Sequence, residues 1–312
     1  MKNKLLTLAS LLAAFNLNAI EIGPTGSGVE MSGFIDIYYQ SGDDDAVGIG
    51  QVELMFDYAS GPVSASVDYD LGGDFATAPA LEEVIITYDF GNGFSATAGK
   101  MLTYMGFEAY DPINMYQYSS AYADSTAIAG IAHIYDAFAT GVSIDYGSDA
   151  FSVGIWSSVG NSADFEYALA YTGVENLTVK AIIADYGDES IVSTGFEGKS
   201  TFWASYAFGD FLFAAEVANA EKSTATGTEL DGSLFMLNYA VSDKIGLTLR
   251  ASNTEVVTGT AAPLVDEDKF TISPSYVFND NLSGLIEYST FDQDGTLAET
   301  EDYLAVEMIY AF

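Results

Sequence analysis

Apolar and polar residues alternate with a period of two along almost the whole chain. The stretch 301–312 (EDYLAVEMIYAF) shows the design. Leu304, Val306, Met308, Tyr310 and Phe312 fall on one side of an extended strand, and Tyr303, Ala305, Glu307, Ile309 and Ala311 on the other. An ionisable group confined to one side marks a strand between an apolar phase and a wet one. The stretch is also long enough to cross a bilayer core, which takes roughly 9–11 tilted strand residues. The same alternation predicts sixteen strands, at 29–40, 47–58, 62–71, 81–90, 94–101, 133–146, 151–159, 164–172, 176–186, 200–208, 211–220, 229–239, 245–254, 268–278, 282–291 and 302–312. In Val52-Glu53-Leu54-Met55-Phe56-Asp57-Tyr58 the carboxylates share one face with each other and the aliphatic residues share the opposite one. The first face suits a lumen and the second suits acyl chains.

The connections fall into two alternating classes. Seven are short and rich in Gly, Asn and Asp, among them Ala59-Ser60-Gly61, Gly91-Asn92-Gly93, Gly209-Asp210 and Asn279-Asp280-Asn281. Such residues supply the positive φ that tight hairpins require. The other connections are longer and more polar. Strands running into a short turn or the carboxyl terminus close on an aromatic: Tyr58, Phe90, Tyr146, Tyr171 (one residue early), Phe208, Tyr239, Phe278 and Phe312. Aromatic rings settle at the level of lipid headgroups, so these residues predict a girdle at one barrel end.

Composition narrows the choice. Hydrophobic residues make up 49 % of the chain and charged residues 17 %, yet past the amino terminus no apolar run approaches a membrane helix. Residues 1–19 (MKNKLLTLASLLAAFNLNA) have a basic start at Lys2 and Lys4, an apolar core from Leu5 to Phe15 and a small residue at Ala19. That is the build of a secretory signal peptide. Its removal leaves 45 acids against 7 bases, a formal charge of −38. A charge of that sign and size argues against nucleic acid or anionic lipid surfaces as partners, and suits cations or a saline habitat. With no cysteine, disulfides and thiolate metal sites are excluded as well. The expected architecture is all-β: a single domain over 20–312 forming a membrane-spanning, closed antiparallel barrel of about sixteen strands. Closure removes the open edges of a long sheet, and sixteen strands leave room for water inside.

One connection differs from the rest. Residues 102–132, in the position of a third external loop, carry five tyrosines between 103 and 122 and only two acids, Glu108 and Asp111. A fully solvated loop is normally more polar, so this one is expected to fold into the barrel. An outer cap or a subunit contact is the other use for it. Here Gly99-Lys100, Thr103, Gly106-Phe107-Glu108, Pro112, Asn114 and Tyr118-Ser119 resemble a segment of the β-barrel porins of the porin-2, OmpL-like group. The placement is similar to the constriction loop of general Gram-negative porins, although Tyr104 stands where the family pattern usually has proline. The resemblance implies a passive diffusion channel in the outer membrane, commonly a homotrimer, whose terminal strand ending at Phe312 is recognised by the assembly machinery. It also implies loop acids set against wall bases. On that reading the constriction takes Tyr104, Glu108, Tyr110, Asp111, Tyr116 and Tyr118 from the loop.

Alternation places Lys180, Arg250 and Lys269 on the polar face of their strands, with Lys100 at the loop root. Each is either a counter-charge to the loop or a partner of a wall acid. Asp36, Glu53 and Asp57, with Asp68, Asp70, Glu83, Asp89, Glu166, Glu216, Glu287 and Glu307, face the same way, and a carboxylate-lined pore favours cations. The expected function is passage of small hydrophilic solutes and ions through a cation-selective pore. A substrate-specific channel, with tyrosines such as Tyr38 stacking on sugar rings, is the alternative. Asp43-Asp44-Asp45 and Asp292-Gln293-Asp294-Gly295 look like pieces of calcium loops without the required later glutamate, so no cofactor is expected beyond loop-bound calcium. His133, the only histidine, has no serine-nucleophile motif beside it, and no enzyme is expected. A solenoid array needs a fixed short repeat, and the spacing of aromatic strand ends varies.

Overall fold

The computed structural model describes residues 19–24, 26–42, 46–74, 79–108, 111–122, 134–135, 138–158, 164–186, 196–221, 227–259, 263–295 and 301–312. The strands are β1 (Ile20–Glu21), β2 (Val29–Gln40), β3 (Ala46–Ser60), β4 (Val63–Asp70), β5 (Ala80–Gly91), β6 (Phe94–Leu102), β7 (Phe138–Gly147), β8 (Phe151–Ser158) and β9 (Phe165–Tyr171). They continue as β10 (Leu177–Asp185), β11 (Gly198–Phe208), β12 (Phe211–Glu221), β13 (Thr228–Ser242), β14 (Ile245–Thr258), β15 (Val265–Asn279), β16 (Leu282–Asp294) and β17 (Tyr303–Ala311). Each strand from β2 to β17 pairs antiparallel with its sequence neighbours, and β17 pairs with β2, so these sixteen close into a barrel. The seam continues past the strand end: Gly33 and Phe312 exchange two backbone hydrogen bonds of 3.0 Å. Beyond it, β1 lies beside the lower part of β2, in the lane that β17 vacates.

The alternation does what the sequence predicts. Along β13, Thr228, Leu230, Gly232, Leu234 and Met236 are covered while the residues between them are exposed. Exposed positions are apolar around the wall, with Ile86, Ile144 and Phe208 each more than 60 % exposed. A belt of bare aliphatic and aromatic side chains on a closed, hydrogen-bonded wall is a lipid-facing surface. At the short-turn end rings meet ring to ring, Phe94 with Tyr146 at 4.7 Å and Phe211 with Tyr239 at 4.6 Å. These are members of the predicted girdle and their cross-strand neighbours.

The sixth predicted strand is shorter than expected. Alternation starts it at 133, but β7 begins at Phe138, and Ile134 and Tyr135 are instead packed inside the barrel. Strands β13 to β16 run longer than predicted, because backbone pairing continues past the residues at which the predicted alternation ends. His133, Tyr110, the Asp43–Asp45 run and the signal segment 1–18 lie outside the described residues.

Candidate functional site: a loop across the lumen

After Leu102 the chain turns into the barrel. The Tyr104 N–H donates to Glu166 Oε2 on β9 at 2.9 Å, and its hydroxyl donates to Asp145 Oδ1 on β7 at 2.6 Å. Lys180 on β10 donates to the Tyr104 carbonyl at 3.2 Å. A glycine on β8 makes room for this ring: a Cβ on Gly154 would lie 2.7 Å from the Tyr104 hydroxyl. Phe107 then meets Trp203 of β11 edge-on, with centroids 5.5 Å apart, and Glu108 forms an ion pair with Arg250 of β14.

From there the loop crosses to other strands. Asp111 stands beside Glu53 of β3 and Glu82 of β5, and opens a 3-10 turn at Pro112–Asn114. Ile113 in that turn packs with Phe34 of β2 and Ile309 and Ala311 of β17. Tyr118 donates to Gln40 Oε1 at 3.1 Å and lies 5.5 Å from the Tyr38 ring.

The return leg is fixed at Ser119. Its N–H and hydroxyl both donate to Glu287 of β16, at 3.1 and 2.6 Å. Its hydroxyl oxygen accepts from Lys269 at 2.6 Å and Arg250 at 3.2 Å, so one donor and two lone pairs are all used. Arg250 and Lys269 also donate to the Ser120 carbonyl, at 2.9 and 3.0 Å. Beyond it the hydroxyls of Tyr122 and Tyr135 converge on one oxygen of Glu216 on β12. Ala121, Tyr122 and Ile134 pack on an apolar inner patch made by Leu212, Ala214, Leu230, Leu234 and Met236. A Cβ on Gly232 of β13 would come within 2.4 Å of Ile134, so that glycine is part of the seat.

The loop thus covers one side of the lumen and leaves the other open. Glu216, Arg250, Ser252, Lys269 and Glu287, inward on β12 to β16, are all buried beneath it. Inward residues of β4 to β6, such as Ser66, Asp68, Thr87 and Thr97, remain partly exposed. The least covered part of the inner wall is therefore the one formed by β4 to β6. Asp57 is exposed towards the short-turn end of that wall, and Asp68 faces Glu83 across the β4–β5 pair. A bulge shifts the register there: Asp68 opposes Glu83 and Tyr69 opposes Leu81, which leaves Glu82 unpaired. Bulges re-aim side chains, and this one brings a second consecutive glutamate inward. Carboxylate oxygens of Glu53, Glu82 and Asp111 lie within 4.8 Å of one another. Burial, with Asp68 and Asp70 nearby, pushes the Asp111 carboxyl up to about 6.

The bases are placed differently from the acids. Arg250, Lys269 and Lys180 hold the loop, and Lys199 is buried over the Phe196 ring at 5.4 Å. Lys100 donates to the Leu81 carbonyl at 2.5 Å and lies over Phe138 at 5.9 Å. Lys244 is in a turn at the girdle end, and Lys222 lies outside the described residues. Of the predicted wall acids, Glu53 and Asp36 are buried, Asp36 with both carboxylate oxygens unpartnered, while Asp57 is exposed. Tyr116 packs against the apolar seat, and burial raises its hydroxyl pKa.

Ser119, Trp203 and Glu82 were not legible as site residues. A signal for the seat does exist: β12 reads FLFAAEVANAE, apolar on both faces, which a strand with one wet face has no reason to be.

A sixteen-stranded antiparallel barrel with a loop packed inside it is the architecture of outer-membrane porins, and the chain resembles known ones. Residues 46–193 match the family model "Phosphate-selective porin O and P". The fold is similar to a loop L8 deletion mutant of OmpT from Vibrio cholerae, with TM-score 0.71 and 17 % identity over 91 % of this chain and 99 % of that one. OmpF from Salmonella typhi, solved with daunomycin, gives 0.69 and 16 % over 94 % and 100 %. An anion-selective porin from Comamonas acidovorans gives 0.65 and 12 % over 91 % and 99 %. No curated protein sequence matches the chain.

Proposed function

We propose that the protein is a non-enzymatic outer-membrane porin that passes small hydrophilic solutes and prefers cations. The observation that carries this reading is the division of charge across the lumen. On the open side stand Asp57, Asp68 and Glu83, whereas Arg250, Lys269 and Lys180 are turned into the loop and hydrogen-bonded there. Carboxylates along an aqueous passage raise the local concentration of cations and repel anions. The anion preference named for the Comamonas acidovorans porin, and the phosphate preference in the name of the matched family model, need bases facing the water. Among the described residues Lys100 alone stands near that side, and it is already bonded to a carbonyl.

Reversal potentials across a planar bilayer in a salt gradient test the selectivity, and a chloride preference overturns it. Liposome swelling with sugars of increasing size tests passive sieving. A steep dependence on sugar identity at constant size would instead favour a substrate-specific channel, for which the Tyr38–Tyr118 ring pair is the feature in its favour. The same reading includes a homotrimer, as in the general porins it resembles, and recognition of the strand ending at Phe312 by the assembly machinery. Cross-linking in native membranes and a Phe312→Ala variant scored for barrel assembly address those two points.

A further inference from the structure

Glu53, Glu82 and Asp111 come from three separate pieces of chain, β3, the β5 bulge and the loop, yet their carboxylates converge. Three negative groups at that distance repel one another and need a counter-charge. Among the described bases, Lys100 is near enough to act on Glu82 but has its ammonium held at the Leu81 carbonyl, and Arg250 is paired with Glu108, so no base sits between the three carboxylates. Gln51 is a neutral donor, reaching Glu53 at 3.1 Å and Glu82 at 3.3 Å.

Asp111 adds an independent observation. It is the N-cap of the Pro112–Asn114 turn, where an aspartate ordinarily accepts a backbone N–H, but its side chain makes no cap hydrogen bond. Instead it turns toward the two glutamates, and its Oδ1 is sealed from solvent with no hydrogen-bond partner. A buried carboxylate oxygen left without a donor is costly, and native structures seldom keep one without a reason.

We propose that Glu53, Glu82 and Asp111 hold one divalent cation of the calcium class, which ties the tip of the loop to the wall at the edge of the passage. Donors that are all oxygen select a hard cation. Calcium–oxygen bonds of 2.3–2.6 Å let oxygens up to about 4.6–5.2 Å apart share an ion, so carboxylate oxygens within 4.8 Å of one another are close enough to meet on one. The site is distinct from the Asp292–Asp294 segment at the end of β16. It goes beyond the transport reading and does not depend on it, because binding is read in detergent without any channel.

Equilibrium dialysis of the detergent-folded full chain against calcium, and separately magnesium, tests it. Wild type is expected to bind one more calcium per chain than Asp111→Asn, with an affinity in the ~10⁻⁴–10⁻³ M range of extracellular sites. Glu82→Gln, a change of the same shape, should weaken that ion by about tenfold or more. Calcium should also slow proteolysis of the loop in wild type and not in either variant. A double Asp292→Asn, Asp294→Asn variant should keep the ion. Heat-modifiable gel mobility confirms barrel assembly in each variant. No calcium bound at about 10 mM, undiminished binding in both Asp111→Asn and Glu82→Gln, or loss of the ion in the Asp292/Asp294 variant instead, each overturns the proposal.

Discussion

Arg250 on β14 and Glu108 in the inward loop lie 142 residues apart in sequence and form a buried ion pair. The same guanidinium donates to the carbonyls of Ser119 and Ser120, so one side chain holds both the outgoing and the returning leg of the loop. Removing one partner of a buried pair typically costs about 3–5 kcal/mol, because the other charge stays buried and unpaired. Arg250→Ala is therefore expected to release the loop while the barrel, held by its own ladder, remains assembled. Single-channel recording should show a larger, noisier conductance, and protease should cut within the loop. An unchanged conductance would mean that the loop does not narrow the passage.

Ser119→Ala removes a hydroxyl that bonds three wall side chains, Glu287, Lys269 and Arg250. It leaves Glu287 and Lys269 less satisfied in a buried setting, at a cost of about 1–3 kcal/mol. The expected result is a milder form of the Arg250 phenotype: intermittent openings of the larger conductance, with folding yield unchanged.

Gly232→Val tests the seat by sterics alone. A side chain there runs into Ile134 and Tyr122, while a β-branched residue suits the strand itself. Barrel stability should hold or rise while loop protection from protease falls. Equal protection in the variant and wild type would show that the loop does not depend on this contact.

Asp68→Asn combined with Glu83→Gln removes two charges from the open wall while keeping the shape of both side chains and leaving the Arg250, Lys269 and Ser119 contacts of the loop in place. The reversal potential in a salt gradient should move toward zero, and conductance should change little. No movement would place the selectivity elsewhere.

On the outer face, Val217 of β12 is 58 % exposed in the middle of its strand. Val217→Lys should cost about 2–4 kcal/mol in denaturant unfolding from lipid vesicles, the depth-dependent penalty for a charge facing acyl chains. A negligible cost would argue against that face meeting lipid.

Strand positions were legible because one rule, wet on one face and oily on the other, holds along most of the chain. The segment 29–40 matches its strand end to end, and the aromatic strand ends fall beside the short turns as expected. The rule fails where a side chain has protein on both sides. Ile134 and Tyr135 continue the alternation and yet belong to the loop's seat, so the predicted strand started too early. Glu82 and Glu83 both reach the lumen because of a bulge, which a period of two cannot foresee. The inward direction of Arg250 and Lys269 followed from the alternation, but their meeting with Ser119 depends on a fold-back across some 130–150 residues that leaves no local trace.

The seam between β2 and β17 joins one of the first segments of the barrel to the last. Until Phe312 has been synthesised and has found Gly33, the sheet is an unfinished hoop with two raw margins, each able to zip onto a neighbour's. Completion is thus a contact of the longest possible sequence span, slow to form and hazardous to postpone. A chain cut short by a single strand would be left as an adhesive ribbon instead of a slightly narrower tube.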